Sequence, residues 1–447
     1  MTPTPQSIDL LLEARWIATA EQDGVLKNHA IAIDGGRILA ILPIAEAREQ
    51  YLPREKTQLD EHILIPGLIN LHTHAAMNLL RGIADDLPLM DWLQKRIWPA
   101  EGALVSSAFV LDGTRLACHE MLRGGITCFN DMYFFPEAAA QAAGEFGMRA
   151  MLGMTTLEFP TRYASDAEDY LRKGLAARDA NRDPRIHFAL APHAPYTVSD
   201  RSFERIATLA EQLDVPVHCH IHETRAEIEQ SLTEHGVRPL ARLHRLGLVN
   251  PDFIGVHAVH LDDTEIQLLA AQNASIAHCP TSNLKLGSGV ARIADLLAAG
   301  VNVGLGSDGA ASNNRLDMFQ EMRLAALLAK GHGEDASLLP AAQILRMATI
   351  NGARALGLAH LTGSLAPGKA ADIVAVALGE LDCQPCYDPL SHLIYVAGRE
   401  QVSHVWIDGM CRIYNKTLQS PHAISLDASL ALWQNRAQVC ARDHEPS

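Results

Sequence analysis

The sequence predicts an α/β protein: a (β/α)8 barrel of TIM type in the middle of the chain, with β-structure contributed by both ends. Three observations lead there. Between about residues 66 and 362, short apolar runs alternate with longer stretches of helical periodicity, as repeated βα units around a parallel sheet require. The runs number eight: ILIPGLINLHTH, ITCFNDM, RAMLGMT, IHFALAPHAPYT, VPVHCHIHE, FIGVHAVHL, ASIAHCPTSN and VNVGLGSDG, a count that suits a closed barrel. Outside this block, His29–Leu42 alternates around Asp34-Gly35-Gly36 and His404–Tyr414 around Asp408-Gly409, which are hairpin signals.

The segments that follow from this reading are 1–65, 66–362 and 363–447, the last ending in an amphipathic helix from about Ile424 and a polar tail. The competing architecture, an open doubly wound sheet, usually carries a glycine-rich phosphate turn after its first strand, and here His72-Thr73-His74 holds that place. The barrel also predicts where chemistry sits, at the C-terminal mouths of the strands, and nearly all the unusual polar residues fall there.

Composition narrows the function. With 48% hydrophobic and 20% charged residues, the 447-residue chain has the make-up of a compact enzyme. Lys plus Arg is 37 against 52 for Asp plus Glu, and the resulting −15 repels phosphate backbones and anionic membranes, so a small neutral molecule is the expected partner. Residues 1–20 lack the basic region of a signal peptide, and no apolar run nears the ~20 residues of a membrane helix. Eight irregularly spaced cysteines make no disulfide framework, and the expected location is the cytoplasm. Cys383-Gln-Pro-Cys386 has no second pair to complete a thiolate site and reads as surface cysteines.

His72 and His74 end the first run, and at a period of two both imidazoles face one side, where they can share a metal ion. The pair alone is a weak signal, since 21 histidines in 447 residues give roughly one such spacing by chance. The fifth run adds weight: Val217-His218-Cys219-His220-Ile221-His222-Glu223 sets three histidines and a carboxylate where an apolar strand is expected. His218, His220 and His222 share a face, so spacing leaves the choice of ligand open. His257 and His260 end the sixth run, and Asp308 stands on a glycine-flanked turn after the eighth. A structural role accounts for each singly but poorly for all at strand ends.

Three imidazoles and a carboxylate with a place left for water suit a catalytic zinc, and iron or manganese accepts the same set. Related architectures often hold two ions bridged by a carbamylated lysine. No lysine lies between Lys173 and Lys285, and the fourth run offers His193 instead, so a mononuclear site is expected.

On PGLINLHTHAAMNLLRG, His220-x-x-Glu223, GVHAVHLDD, HCPTSNLKLGSG, GLGSDGAASNN and GSLAPGKAADIVAV, nearly the whole chain resembles the amidohydrolase superfamily. LRGIADDLPLMDWLQKRIWPAE makes it most similar to the deaminases of 5-methylthioadenosine and S-adenosylhomocysteine. The resemblance implies a small β-sandwich built from both termini, a homo-oligomer, and one divalent ion, Zn2+ foremost, on His72, His74, His220 and Asp308. It makes Glu223 the proton shuttle and His257 the residue that assists the attacking water. Glu101, 27 residues after His74, becomes the carboxylate for the ribose hydroxyls, and His193 a substrate contact. Ser312 is a candidate contact to the base, with a loop-structuring role as its rival, and His278 a pocket residue on the same terms.

The implied reaction is hydrolytic deamination at C6 of a purine nucleoside, with Asp308 accepting a proton from water and Glu223 delivering protons to the ring and the leaving amine. Relatives that take a carboxylate-bearing tail often carry an arginine where this chain has Met154, although Arg149 and Arg162 are close in sequence. A thioether neighbour favours a methylthio tail, so 5-methylthioadenosine is expected to be preferred, with core packing as the rival account of Met154. The alternative reactions with the same ligands are triazine hydrolysis and deamination of guanine or cytosine.

Overall fold

The computed structural model describes residues 4–422 and 426–442. Four strands open the chain: β1 (Gln6–Ile17), β2 (Leu26–Asp34), β3 (Arg37–Pro43) and β4 (Tyr51–Pro66). Past Gly67, each of the eight apolar runs contains a strand: β5 (Leu68–Thr73), β6 (Ile126–Asp131), β7 (Arg149–Thr156), β8 (Ile186–Pro192), β9 (Val217–Ile221), β10 (Phe253–His257), β11 (Ser275–His278) and β12 (Asn302–Leu305). Four more follow: β13 (Ile373–Ala377), β14 (Val402–Ile407), β15 (Met410–Tyr414) and β16 (Thr417–Leu418).

Strands β5 to β12 pair in chain order, parallel at each junction. The first and last meet through specific bonds. Asn70 Nδ2 donates to Ser307 Oγ at 2.7 Å, the Ser307 amide donates back to Asn70 Oδ1, and the Asp308 amide donates to the His72 carbonyl at 2.9 Å. The ring therefore closes beside the two residues expected to do chemistry. Below it, Ile69, Cys128, Met151, Ala189, Ile254 and Val256 form one buried cluster; coming from strands all round the ring, they make the barrel's apolar filling.

The surrounding helices start where polar side chains satisfy their first amides. Ser106, Asp166, Ser199, Thr224 and Asp317 each accept a bond from the first turn of the helix that follows, and Asp262 with Glu265 forms a complete capping box.

The predicted hairpins are β2–β3, with Asp34 opposite Arg37, and β14–β15, with Ile407 opposite Met410. The terminal β-domain expected from both ends of the chain is one separate eight-stranded sheet, ordered β16-β15-β14-β13-β4-β1-β2-β3, that curls on itself. The two hairpin turns meet, and a Cβ at Gly36 would lie 2.7 Å from the Asp408 carbonyl, a spacing only glycine permits. Leu10, Ile33, Leu64, Ile373 and Trp406 fill the space enclosed. The helix Leu426–Arg442 packs on the barrel rather than on this sheet: Trp433 lies edge-on to Phe109 and donates to Asp112 Oδ2 at 2.9 Å. Ile424 and the expected polar tail at 443–447 lie outside the described residues. No helix among the described residues is long and apolar enough to cross a membrane.

Candidate metal centre and its cavity

At the C-terminal mouth of the barrel, four imidazoles and one carboxylate converge. His72 and His74 come from β5 and the turn after it, His220 from β9, His257 from the end of β10 and Asp308 from the turn after β12. His72 Nε2 lies 3.3 Å from His220 Nε2 and 3.2 Å from Asp308 Oδ1, and His74 Nε2 lies 3.3 Å from the same oxygen. Two overlapping triads, His72–His220–His257 and His72–His74–Asp308, each bring their ligand atoms within 4.8 Å of one another.

These separations fit an ion. A tetrahedron with bonds of ~2.0–2.1 Å has edges of about 3.3–3.4 Å. Three of the four imidazoles are held by an oxygen at their other nitrogen: His74 Nδ1 at 2.6 Å from the Met132 carbonyl, His220 Nδ1 at 2.7 Å from the His193 carbonyl, and His257 Nδ1 at 2.8 Å from Asn283 Oδ1. A carbonyl oxygen only accepts, so these three Nδ1 atoms carry the proton and each Nε2 turns a lone pair to the centre. Burial also disfavours the imidazolium, taking His72 down to about 4 and His220 well below its usual range.

Asp308 is pinned as firmly. Its Oδ2 accepts from Ser282 Oγ at 2.6 Å and Ser312 Oγ at 2.7 Å, and Oδ1 accepts from the Gly309 amide at 2.8 Å. Burial opposes its ionisation, but the neighbouring His72 and His74 imidazoles outweigh it, and the carboxyl stays well below its usual value. The backbone enters the left-handed region at Asp308 (φ 61°) and His257 (φ 70°), so both side chains are lifted off the regular strand path.

Glu223 stands just past β9, with Oε2 3.7 Å from His257 Nε2 and Oε1 3.4 Å from Ser288 Oγ. Burial pushes its carboxyl up, against the pull of His257. Its amide and that of His222 are both held by Glu227, at 2.8 and 2.9 Å. The cavity over the metal centre is lined by Glu101, Tyr133, His193, Tyr196 and Glu223, among others. Tyr133 donates its hydroxyl to Glu101 Oε1 at 2.7 Å, and burial still raises the Glu101 carboxyl to about 7. His193 lines the cavity with Nδ1 3.0 Å from Thr197 Oγ1. A second hollow, sharing Glu101 with the first, is lined by Trp98, Phe134 and Phe159, with Arg162 also on it.

Four sequence expectations are corrected. Met154 does not reach the cavity: it shares strand parity with Ala150 and Leu152 and packs against Gly174 of the helix Ala167–Ala180, while Thr155 turns inward. Ser312 holds Asp308 and is not among the cavity-lining residues. His222 does not share the face of His220, because the chain turns left-handed there (φ 53°) and the ring Nε2 accepts from the Leu240 amide instead. Cys383 is buried rather than on the surface. Arg149, at the opposite end of β7 from the mouth, is buried against Asp372 and Asp408 of the terminal domain. His278 is buried and is not among the cavity-lining residues. The supporting partners Ser282, Asn283, Glu227 and Tyr133 were missed; the first two stand in HCPTSN, and Glu227 is the fourth residue of Thr224-x-x-Glu227, a helix-start pattern.

A parallel barrel with one His/Asp cluster at its mouth and a buried carboxylate beside it defines a metal-dependent hydrolase. Residues 63–411 match the amidohydrolase family model, and the chain belongs to that family, in its 5-methylthioadenosine/S-adenosylhomocysteine deaminase branch. The 5-methylthioadenosine/S-adenosylhomocysteine deaminase of Saccharophagus degradans is 46% identical over 96% of this chain and 97% of its own. The crystal structure of an adenosine deaminase from Xanthomonas campestris with bound zinc superposes with a TM-score of 0.96 at 48% identity, covering 98% of this chain and all of that one. The zinc complex of an atrazine chlorohydrolase from Arthrobacter aurescens matches at a TM-score of 0.87 and 26% identity, over 95% and 99% of the two chains. The centre is thus a single divalent metal site of a zinc-dependent deaminase family.

Proposed function

We propose that the protein deaminates adenosines modified at the 5′ position, 5-methylthioadenosine foremost, to the matching inosine and ammonia. The observation that carries this reading is the pairing of two carboxylates on one cavity: buried Glu223 beside the metal centre, and half-buried Glu101, which lines both this cavity and the neighbouring hollow. A purine ring at the centre puts its ribose toward Glu101 and its 5′ substituent toward Trp98 and Phe159.

In this reading His72, His74, His220 and Asp308 hold the ion. When bound, such an ion supplies a water whose pKa falls from 15.7 to about 7. His257 Nε2, its tautomer set by Asn283, orients the oxygen that attacks C6, and Asp308 accepts the proton that this water loses. Glu223 delivers its own proton to ring N1 as C6 becomes tetrahedral, takes up the proton of the new C6 hydroxyl and passes it to the exocyclic nitrogen, which leaves as ammonia; the proton on Asp308 then returns to Glu223 and restores the starting state. Glu101 accepts from the ribose hydroxyls, and His193 contacts the base.

The preference for a methylthio tail no longer has Met154 behind it; the aromatic walls of the second hollow support it instead. Arg162 favours a second reading. Its guanidinium, bonded to the Gly102 carbonyl at 3.0 Å, stands on that hollow, where a homocysteine carboxylate would arrive. Specificity constants for the two compounds test this: a higher value for 5-methylthioadenosine supports the first reading, and a higher value for S-adenosylhomocysteine that falls in Arg162→Ala supports the second.

A further inference from the structure

His72 is held differently from the other imidazoles of the centre. His74, His220 and His257 each bond an oxygen through Nδ1. His72 Nδ1 instead lies 3.0 Å from Nε2 of His218, whose ring is fully buried and nearly perpendicular, with centroids 5.0 Å apart. A ring nitrogen can donate or accept, so this bond has two forms. If His218 donates, His72 carries its proton on Nε2, aimed at the centre, and cannot ligate. If His218 accepts, His72 is protonated on Nδ1 and its Nε2 lone pair is free. The second form leaves His218 with its proton on Nδ1, and that atom has no hydrogen-bond partner among the described residues. A buried N–H without a partner is a local cost of the ligating arrangement, which a bound ion offsets.

We propose that His218 is a positioning residue for the metal: it accepts the His72 Nδ1 proton, fixes the ligating tautomer and so sets the affinity of the centre. This rests on the reading of His72 as a ligand. It also accounts for a histidine at 218, where the apolar strand filling would otherwise continue.

The test measures zinc affinity by chelator competition in the purified full-length protein and compares His218→Gln with His218→Met, side chains of similar length of which only the first carries an acceptor. Gln is expected to stay within a few-fold of the wild type and Met to lose about 10–100-fold, the usual effect of removing a partner of a metal ligand. Equal affinities in the two variants would overturn the proposal. If neither variant folds, 15N spectra of histidine-labelled wild-type protein loaded with zinc decide: His218 protonated at Nδ1 supports the assignment, and protonation at Nε2 overturns it. A wild-type protein that binds one zinc without perturbing His72 would instead remove the ligand reading itself. None of these readouts depends on the substrate.

Discussion

Glu223 Oε2 lies 3.7 Å from His257 Nε2, so a buried carboxylate sits directly beside an imidazole of the metal centre. Neither group holds the other tightly. Glu223 is aimed by its backbone, through the bond from its amide to Glu227, and its carboxyl keeps an open side toward the cavity.

Glu223→Gln removes the proton carrier without touching a proposed ligand. Turnover is expected to fall by about 10²–10⁴-fold while zinc content stays at the wild-type level. Steady-state kinetics with metal analysis checks this, and normal turnover would dismiss Glu223 as the shuttle.

Glu101 gives the binding step a pH dependence. Burial raises its carboxyl to about 7 in the free protein, so it is neutral below that pH and ionised above it. The ionised form is the stronger acceptor for ribose hydroxyls. The kcat/KM for a nucleoside should therefore be largest above about 7 and decline as the pH falls through it. Glu101→Gln should lack this limb, and Tyr133→Phe, which removes the bond that favours ionisation, should move it upward.

Ser312 and Ser282 both donate to Asp308 Oδ2. Ser312→Ala should weaken zinc binding about 10–100-fold and leave KM unchanged once metal is saturating. A raised KM at full zinc occupancy would restore Ser312 as a contact to the base.

Arg149 tests the joint between the domains. It is 3% exposed and bonded to Asp372 Oδ2 at 2.6 Å, with Asp408 also against it. Arg149→Met strands the buried Asp372 carboxylate and is expected to destabilise the fold by about 3–5 kcal/mol, seen as a lower Tm, with the kinetics of the remaining folded protein unchanged.

Much of this was legible before any coordinates. The eight strands were readable because each apolar run is bounded by turn residues, and the hairpins because Asp-Gly turns leave few other conformations. The cluster at the mouth was readable because histidines interrupt buried strands at 72, 220 and 257. What failed was the direction of side chains. Period two alone put His218, His220 and His222 on one face, but a left-handed residue at 222 breaks the period, and at Met154 nothing in the run RAMLGMT says which parity faces inward. The partners of the ligands were hidden for another reason. Ser282 and Asn283 act on groups 26 residues away at the mouths of the neighbouring strands, and His218, on β9, acts across the barrel on His72, on β5; only the folded barrel brings them together.

The most direct measurement loads the protein with zinc and follows ammonia release from adenosine, 5-methylthioadenosine, S-adenosylhomocysteine, guanine, cytosine and an aminated triazine. The proposed chemistry predicts conversion of the adenosines, with 5-methylthioadenosine fastest and the free bases untouched. A fully metallated protein that leaves every adenosine intact, or that turns over guanine, cytosine or the triazine instead, would contradict it.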